Sequence, residues 1–201
     1  MAIKIGITGG IGSGKSSVSG LLRGMGVPVY DCDREARRLM HSDDAIRRGL
    51  VALAGEAVYG ADGQLDRRYL ATFMFGHDER VAQVNALGHP AVRADFRRWA
   101  EERRAEAVVA LESAILFEAG MKGDVDAAVL VYTPFDERLQ RTMARDGVTE
   151  EQVRARMASQ MTDEERLPLA DYVIHNAERD AVTPQVVALI EEINYRNNNK
   201  N

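Results

Sequence analysis

The chain has 201 residues, 45% of them apolar, enough to bury the core of one domain with appendages but short for two independent domains. A net charge of -5 and a pI near 5.5 argue against bulk attraction to nucleic acid and favour a small-molecule partner, which a local arginine cluster can still hold if it is anionic. A single cysteine, Cys32, excludes an intrachain disulfide; with no signal-peptide pattern and no apolar run of bilayer length, a cytoplasmic protein without membrane contact is expected.

Residues 2–8 are apolar and β-branched and run into glycine, and residues 16–25 then place Val18, Leu21, Leu22 and Met25 at helical spacing, so the chain opens as strand, loop, helix. A second strand fits residues 27–31, with Gly24 and Gly26 closing the helix before it and Pro28 near its entry. From Arg34 onward the spacing is mostly helical, with a turn at Gly60-Ala61-Asp62-Gly63 and a helix start at His89-Pro90; the stretch is too long for one crossover helix and reads as an insertion over 34–105 on the substrate side of a sheet. Residues 107–111, 127–132 and 172–174 are further strands, almost continuously apolar, as strands buried on both faces of a parallel sheet must be. Between the last two, residues 136–167 read as a helical hairpin broken at Asp146-Gly147-Val148-Thr149, where Thr149 and Gln152 make a capping box. From Asn194 the chain has nothing to bury and is expected to fray into a tail over 197–201. The expected fold is α/β: a three-layer sandwich around a central parallel sheet of about five strands, one domain over 1–201.

Gly9-Gly10-Ile11-Gly12-Ser13-Gly14-Lys15-Ser16 meets the pattern Gly-x-x-x-x-Gly-Lys-Ser between a predicted strand and a predicted helix. Glycines let successive amides converge on phosphates, and the helix N-terminus adds its positive dipole end. Residues Gly10, Ile11, Gly12, Ser13, Gly14, Lys15, Ser16 and Ser17 are therefore expected to bind a nucleoside triphosphate, with Lys15 at the β and γ phosphates and Ser16 on a Mg2+ ion. The cradle alone does not separate GTPases, motor ATPases and small-molecule kinases. No Asn-Lys-x-Asp guanine-reading segment occurs, and the strand at 127–132 lacks the terminal aspartate of a typical Walker B strand, so another carboxylate must help hold the metal. Asp31 and Asp33 supply candidates: two apart at the end of a strand, they project to one side. Asp33 is expected as the base that accepts a hydroxyl proton, and Asp31 as a metal contact through water; the competing reading makes Asp33 the N-cap of a helix starting at Arg34.

With Thr8-Gly9-Gly10-Ile11-Gly12-Ser13-Gly14-Lys15-Ser16 followed by Asp31-Cys32-Asp33, the chain resembles the dephospho-CoA kinases. His89-Pro90, Leu116-Phe117-Glu118, the series Arg141, Arg145-Asp146, Arg156 and Gln160, and Ala170-Asp171-Tyr172-Val173-Ile174 with Asn176 resemble further segments of that family along nearly the whole chain. The resemblance implies ATP as phosphoryl donor, Mg2+ as cofactor, dephospho-CoA as acceptor and the last step of coenzyme A synthesis, by a monomer or weak homo-oligomer. It divides the chain into a core of 1–33, 106–135 and 168–196, an acceptor-binding insertion at 34–105 and a lid at 136–167. The sequence departs from the family pattern at Cys32, usually alanine, at Ser113-Ala114-Ile115, usually Val-Pro-Leu, and at Arg138, where glutamine is common.

Arg138, Arg141 and Arg145 lie at helical offsets of three and four, a row suited to a transferring phosphoryl group, although spacing alone equally describes a solvated face paired with Asp136, Glu137 and Asp146. The resemblance favours Arg145 for a catalytic phosphate contact, then Arg141, but leaves Arg138 on the solvated face. It places Asn176 near the purine, and His89, Leu116, Phe117 and Glu118 with Asp33 at the acceptor. For His89 a helix-start role and for Phe117 simple packing are equally good readings. Cys32, between two carboxylates, reads as a small packed residue and not a nucleophile. A kinase for another small hydroxyl acceptor, or a nucleotide sensor that no longer transfers phosphate, are the alternatives to a dephospho-CoA kinase.

Overall fold

A computed structural model describes residues 1–198. The expectation of a tail over 197–201 falls outside them beyond Asn198, and helix continues as far as that residue. In chain order the elements are β1 (Ile3–Thr8), α1 (Lys15–Gly24), β2 (Val29–Asp31), α2 (Cys32–Ser42), α3 (Asp44–Ala54), α4 (Arg67–Met74), α5 (Asp78–Glu101), β3 (Val108–Glu112), β4 (Ala127–Tyr132), α6 (Phe135–Asp146), α7 (Glu150–Ala158), α8 (Asp163–Arg166), β5 (Tyr172–His175) and α9 (Val182–Asn198). Two compact units result: one from Met1–Asp31 with the chain from Trp99 onward, the other from Cys32–Arg98.

The first unit is built on a five-stranded, wholly parallel sheet in the order β2-β3-β1-β4-β5. All five strands stand where the apolar runs predict them, and the three inner ones, β3, β1 and β4, are buried on both faces. On one face Ile5, Ile7, Val108, Ala110, Val129, Val131 and Ile174 meet Val18 and Leu22 of α1 and Val186, Leu189, Ile190 and Ile193 of α9. The intervening residues, Val109, Leu111, Ala128 and Leu130, point the other way and are also fully buried. On that second face Leu116 lies directly over Gly6, where a methyl group would come within 2.8 Å of it. β3 runs one residue beyond the predicted strand, to Glu112, since its ladder with β1 continues to the pair Ile7 and Glu112.

β1 is central, so the loop that follows it emerges in the middle of the carboxyl edge of the sheet, the usual ligand edge of such folds. Past β4, α6 ends at Gly147, whose φ of 65° only glycine adopts readily, and α7 opens on the capping box of Thr149 with Gln152. A second capping box, Thr162 with Glu165, opens α8. Its single turn is the part of the hairpin that helical periodicity does not reveal.

The second unit is helical. Leu39, Ile46, Leu50, Val58, Leu70, Val84, Val92 and Phe96 are among its buried residues, and Asp43 and Asp66 cap α3 and α4 through their side chains. The turn at Gly60 to Gly63 closes an antiparallel bridge between Tyr59 and Leu65. His89-Pro90 does not start a helix: Pro90 lies inside the 24-residue α5. Buried anchors on both sides of it, Val84 before and Val92 and Phe96 after, keep the helix going despite the missing N–H.

Candidate nucleotide site

The loop between β1 and α1 is shaped by what surrounds it. Gly9, Gly12 and Gly14 have φ of 152°, 80° and 88°, in the region that favours glycine. A methyl group at Gly9 would lie 2.5 Å from the Val131 carbonyl, and one at Gly12 would lie 2.5 Å from the Arg138 carbonyl and 2.6 Å from Thr142 Oγ1. At Gly10 it would run into the Arg138 guanidinium, and at Gly14 into the Asn176 amide. The Ser13 carbonyl accepts hydrogen bonds from Thr133 Oγ1 (3.0 Å) and Asn176 Nδ2 (2.7 Å), at the ends of β4 and β5. Ile11 donates its N–H to Gln160 Oε1 at 3.0 Å and rests against the small cluster of Leu139, Val153 and Met157.

Lys15 folds back over the loop, donating to the carbonyls of Gly9 (2.8 Å) and Gly10 (3.2 Å). Gly14 caps α1 without any side-chain hydrogen bond, and the first turn carries no acidic residue. The terminal amides and the positive end of the helix dipole are thus left to a ligand anion.

The Ser16 hydroxyl donates to Glu112 Oε1 at 3.0 Å. Glu112 ends β3, and its parallel partner on β2 is Asp31. Because neighbouring strands lie about 4.8 Å apart, the two carboxylate-bearing residues stand side by side beside the phosphate loop. This is the carboxylate that sequence reasoning missed. It sought the Walker B position on β4, whereas the strand next to β1 on the Asp31 side is β3; the signal was an acidic residue closing an apolar run, Val108-Val109-Ala110-Leu111-Glu112. Ser16, Glu112 and Asp31 offer only oxygen, the donor set of a hard divalent ion. Among the described residues no cluster of three or more acidic, histidine or cysteine side chains could hold a metal by itself, so a cation at this point would need water or ligand phosphates to complete its shell.

Other predicted site residues are distributed as follows. Asp31 ends β2, but Asp33 is not its strand neighbour: α2 begins at Cys32, so Asp33 sits exposed in the first turn of a helix, and the two-apart strand geometry does not apply. Cys32 is buried, as a packed residue should be. Leu116, expected at the acceptor, is 0% exposed, its side chain packed in the core against Gly6. Phe117 is half-buried, and Glu118 Oε1 accepts from Met161 N at 3.0 Å and from Arg166 Nη2 at 3.1 Å. Asn176 holds the loop through Ser13, and its carbonyl accepts from Arg141 Nη1 at 2.9 Å. Arg145 is solvent-exposed and paired with Asp146, which Arg145 and Arg156 together hold far below the usual carboxylate range. Arg138 is not on a solvated face: it is buried, donates from Nε to the Thr133 carbonyl at 3.0 Å and from Nη2 to Asp163 Oδ2 at 2.8 Å. α6 packs its Arg138, Leu139 and Thr142 inward, which leaves Arg145, two turns on, at the open end. His89 is half-buried inside α5, and burial lowers its pKa below the ordinary histidine value.

A glycine-crowded loop at the carboxyl edge of a parallel 2-3-1-4-5 sheet, with its lysine, an uncapped helix start and a serine hydroxyl paired with a carboxylate, defines a P-loop nucleotide-binding protein. The model of the dephospho-CoA kinase family matches residues 3–181. A dephospho-CoA kinase of Bacteroides fragilis (strain YCH46) is 45% identical over 190 residues, covering 94% of this chain and 92% of that protein. Among solved structures, TT1252 from Thermus thermophilus superposes with a TM-score of 0.78 at 39% identity, covering 96% of both chains. Dephospho-CoA kinase from Campylobacter jejuni gives 0.73 at 25% identity, covering 98% of this chain and 100% of its own. The chain belongs to the dephospho-CoA kinase family.

Two outcomes follow from this geometry. Gly12→Ala should abolish measurable ATP binding by calorimetry and lower the melting temperature, since backbone on one side and a buried hydroxyl on the other leave no room for the methyl. For His89 the folded pKa lies below the unfolded one, so its contribution to stability is present above about pH 6.5 and is lost as pH falls through the folded value. Denaturant unfolding between pH 5 and 8 should show that loss in the native chain and a flatter profile in His89→Gln.

Proposed function

We propose that this chain transfers the terminal phosphoryl group of ATP to the ribose 3′-hydroxyl of dephospho-CoA, giving coenzyme A and ADP as the last step of coenzyme A synthesis. The observation that carries the reading is the convergence of Lys15, the uncapped α1 start and the Ser16–Glu112 pair on one point at the sheet edge, in a chain that matches its family model over residues 3–181.

In this reading Gly10 to Ser17 wrap the donor phosphates with backbone amides, and Lys15 exchanges its loop carbonyls for the β and γ phosphates. Ser16, Glu112 and, through water, Asp31 would hold Mg2+. When bound, the ion would supply positive charge to offset that of the transferring phosphoryl group. Asp33 accepts the proton of the 3′-hydroxyl as its oxygen bonds to phosphorus and the bond to the bridging oxygen of ADP breaks. Asp33 suits the part because it is exposed and stands two residues from Asp31 along the chain. His89, Phe117 and Glu118 orient the acceptor, within a helical insertion at 34–105 for His89 and in the segment after β3 for the other two. The segment 136–167 acts as a lid, with Arg141 and Arg145 turned to the phosphates and Asn176 at the purine once ATP is seated. The protein works as a cytoplasmic monomer or weak homo-oligomer, without nucleic acid or membrane. Its pI near 5.5 fits this, and no helix among the described residues is long and apolar enough to cross a bilayer.

ADP release assayed with dephospho-CoA, shikimate, AMP and CMP should show turnover with dephospho-CoA alone; turnover only with another acceptor would overturn the assignment. Asp33→Asn should lower kcat by about 10²- to 10⁴-fold while ATP affinity stays within a factor of two or so. Glu112→Gln should raise the Mg2+ concentration needed for half-maximal rate by roughly tenfold or more, with the melting temperature of the free protein little changed.

A further inference from the structure

Two arginines next to the phosphate loop have no place in the scheme above. Arg138 on α6 and Arg166 at the end of α8 have side chains only 7% and 1% exposed. Burying a guanidinium is costly unless its donors are satisfied, yet these are satisfied only in part. Asp163 lies between them, 2.8 Å from Arg138 Nη2 but 3.7 Å from Arg166 Nη1, beyond hydrogen-bond reach. Arg166 Nη2 reaches Glu118, and its Nε is buried with no partner. No hydrogen bond is made by Arg138 Nη1 among the described residues, its Nε and Nη2 being taken by the Thr133 carbonyl and Asp163. The spare donors are not scattered. The point where a methyl group of Gly10 would stand is overlapped by Arg138 Nη1 and lies 3.3 Å from Arg166 Nη1. Gly10 is the second residue of the phosphate loop, and its carbonyl is one of the two on which Lys15 rests.

We propose that Arg138 and Arg166 form a second phosphate-binding element, their spare guanidinium donors beside Gly10 taking the terminal phosphoryl group of the bound triphosphate. Asp163 holds the pair in place for that anion, and Glu118, bonded to both Arg166 and Met161, ties the same cluster to the segment after β3. Planar forks of this kind suit a phosphoryl group better than a solvated lysine does, because two N–H groups can meet two oxygens at once.

The inference rests on the triphosphate site proposed above, but its test needs no acceptor. Calorimetry in Mg2+ should give Arg138→Met and Arg166→Met at least a tenfold loss of affinity for a non-hydrolysable ATP analogue and less than a threefold loss for ADP, which lacks the group to be held. Equal losses for both nucleotides, or none, would overturn it. Asp163→Asn, which removes the strut and leaves both arginines, should retain the preference for the triphosphate; if it loses that preference as fully as the arginine variants do, the cluster is only structural and the proposal fails. A measurement on the unaltered chain covers the case in which a variant does not fold. The Arg166 Nε–H resonance should shift on adding the triphosphate analogue and stay in place with ADP, and an identical response to both would refute the assignment. Absence of dephospho-CoA turnover would sink the acceptor reading while leaving these binding results to stand by themselves.

Discussion

The phosphate loop has no room for side chains where its neighbours press on it, and much of the first unit is arranged around that crowding. Carbonyls of Val131 and Arg138, the Thr142 hydroxyl and the Asn176 amide all lie where a Cβ at Gly9, Gly12 or Gly14 would go. The loop is therefore clamped from β4, β5 and α6 at once, and its backbone amides are aimed by contacts outside the loop. Such preorganisation is what lets amides stabilise developing charge without first having to reorient.

The sheet order sets the rest of the chemistry. With β1 central and β3 beside it, the acidic residue closing β3 falls next to the first turn of α1, and the one closing β2 falls next to that. A hydroxyl and a lysine from α1 and carboxylates from β3 and β2 are thus gathered from three separate segments by the strand register. One residue of slip in β3 would turn Glu112 to the other face and bring Ser113 to the edge.

α6, α7 and α8 bring a different kind of order. Ile11 reaches from the loop into the cluster of Leu139, Val153 and Met157, so an apolar contact and the Ile11–Gln160 hydrogen bond join this helical segment to the cradle. Within the same arrangement Arg138 and Arg166 are buried while Arg145 remains in solvent with Asp146. Guanidinium groups at equal helical spacing thus meet very different fates, because burial depends on what lies opposite each turn and not on the spacing itself.

Local chemistry determined a great deal. Glycines, lysine and serine between a β-branched run and an amphipathic one identify the cradle, doubly apolar runs identify the five strands, and Thr149 with Gln152 identifies the start of α7, each because neighbouring residues carry the whole signal. The tertiary structure alone decided what depended on distant partners. Pro90 stays inside α5 because apolar anchors on both sides hold it, and Asp33 lies in the first turn of a helix, where strand alternation does not apply. Leu116 belongs to the core, since Gly6 opens a space for it on the sheet. Glu112 became visible only when β3 was seen to lie beside β1, a pairing across more than a hundred residues that no local pattern encodes. Sequence settled which groups could bind phosphate; the fold selected which of them stand together.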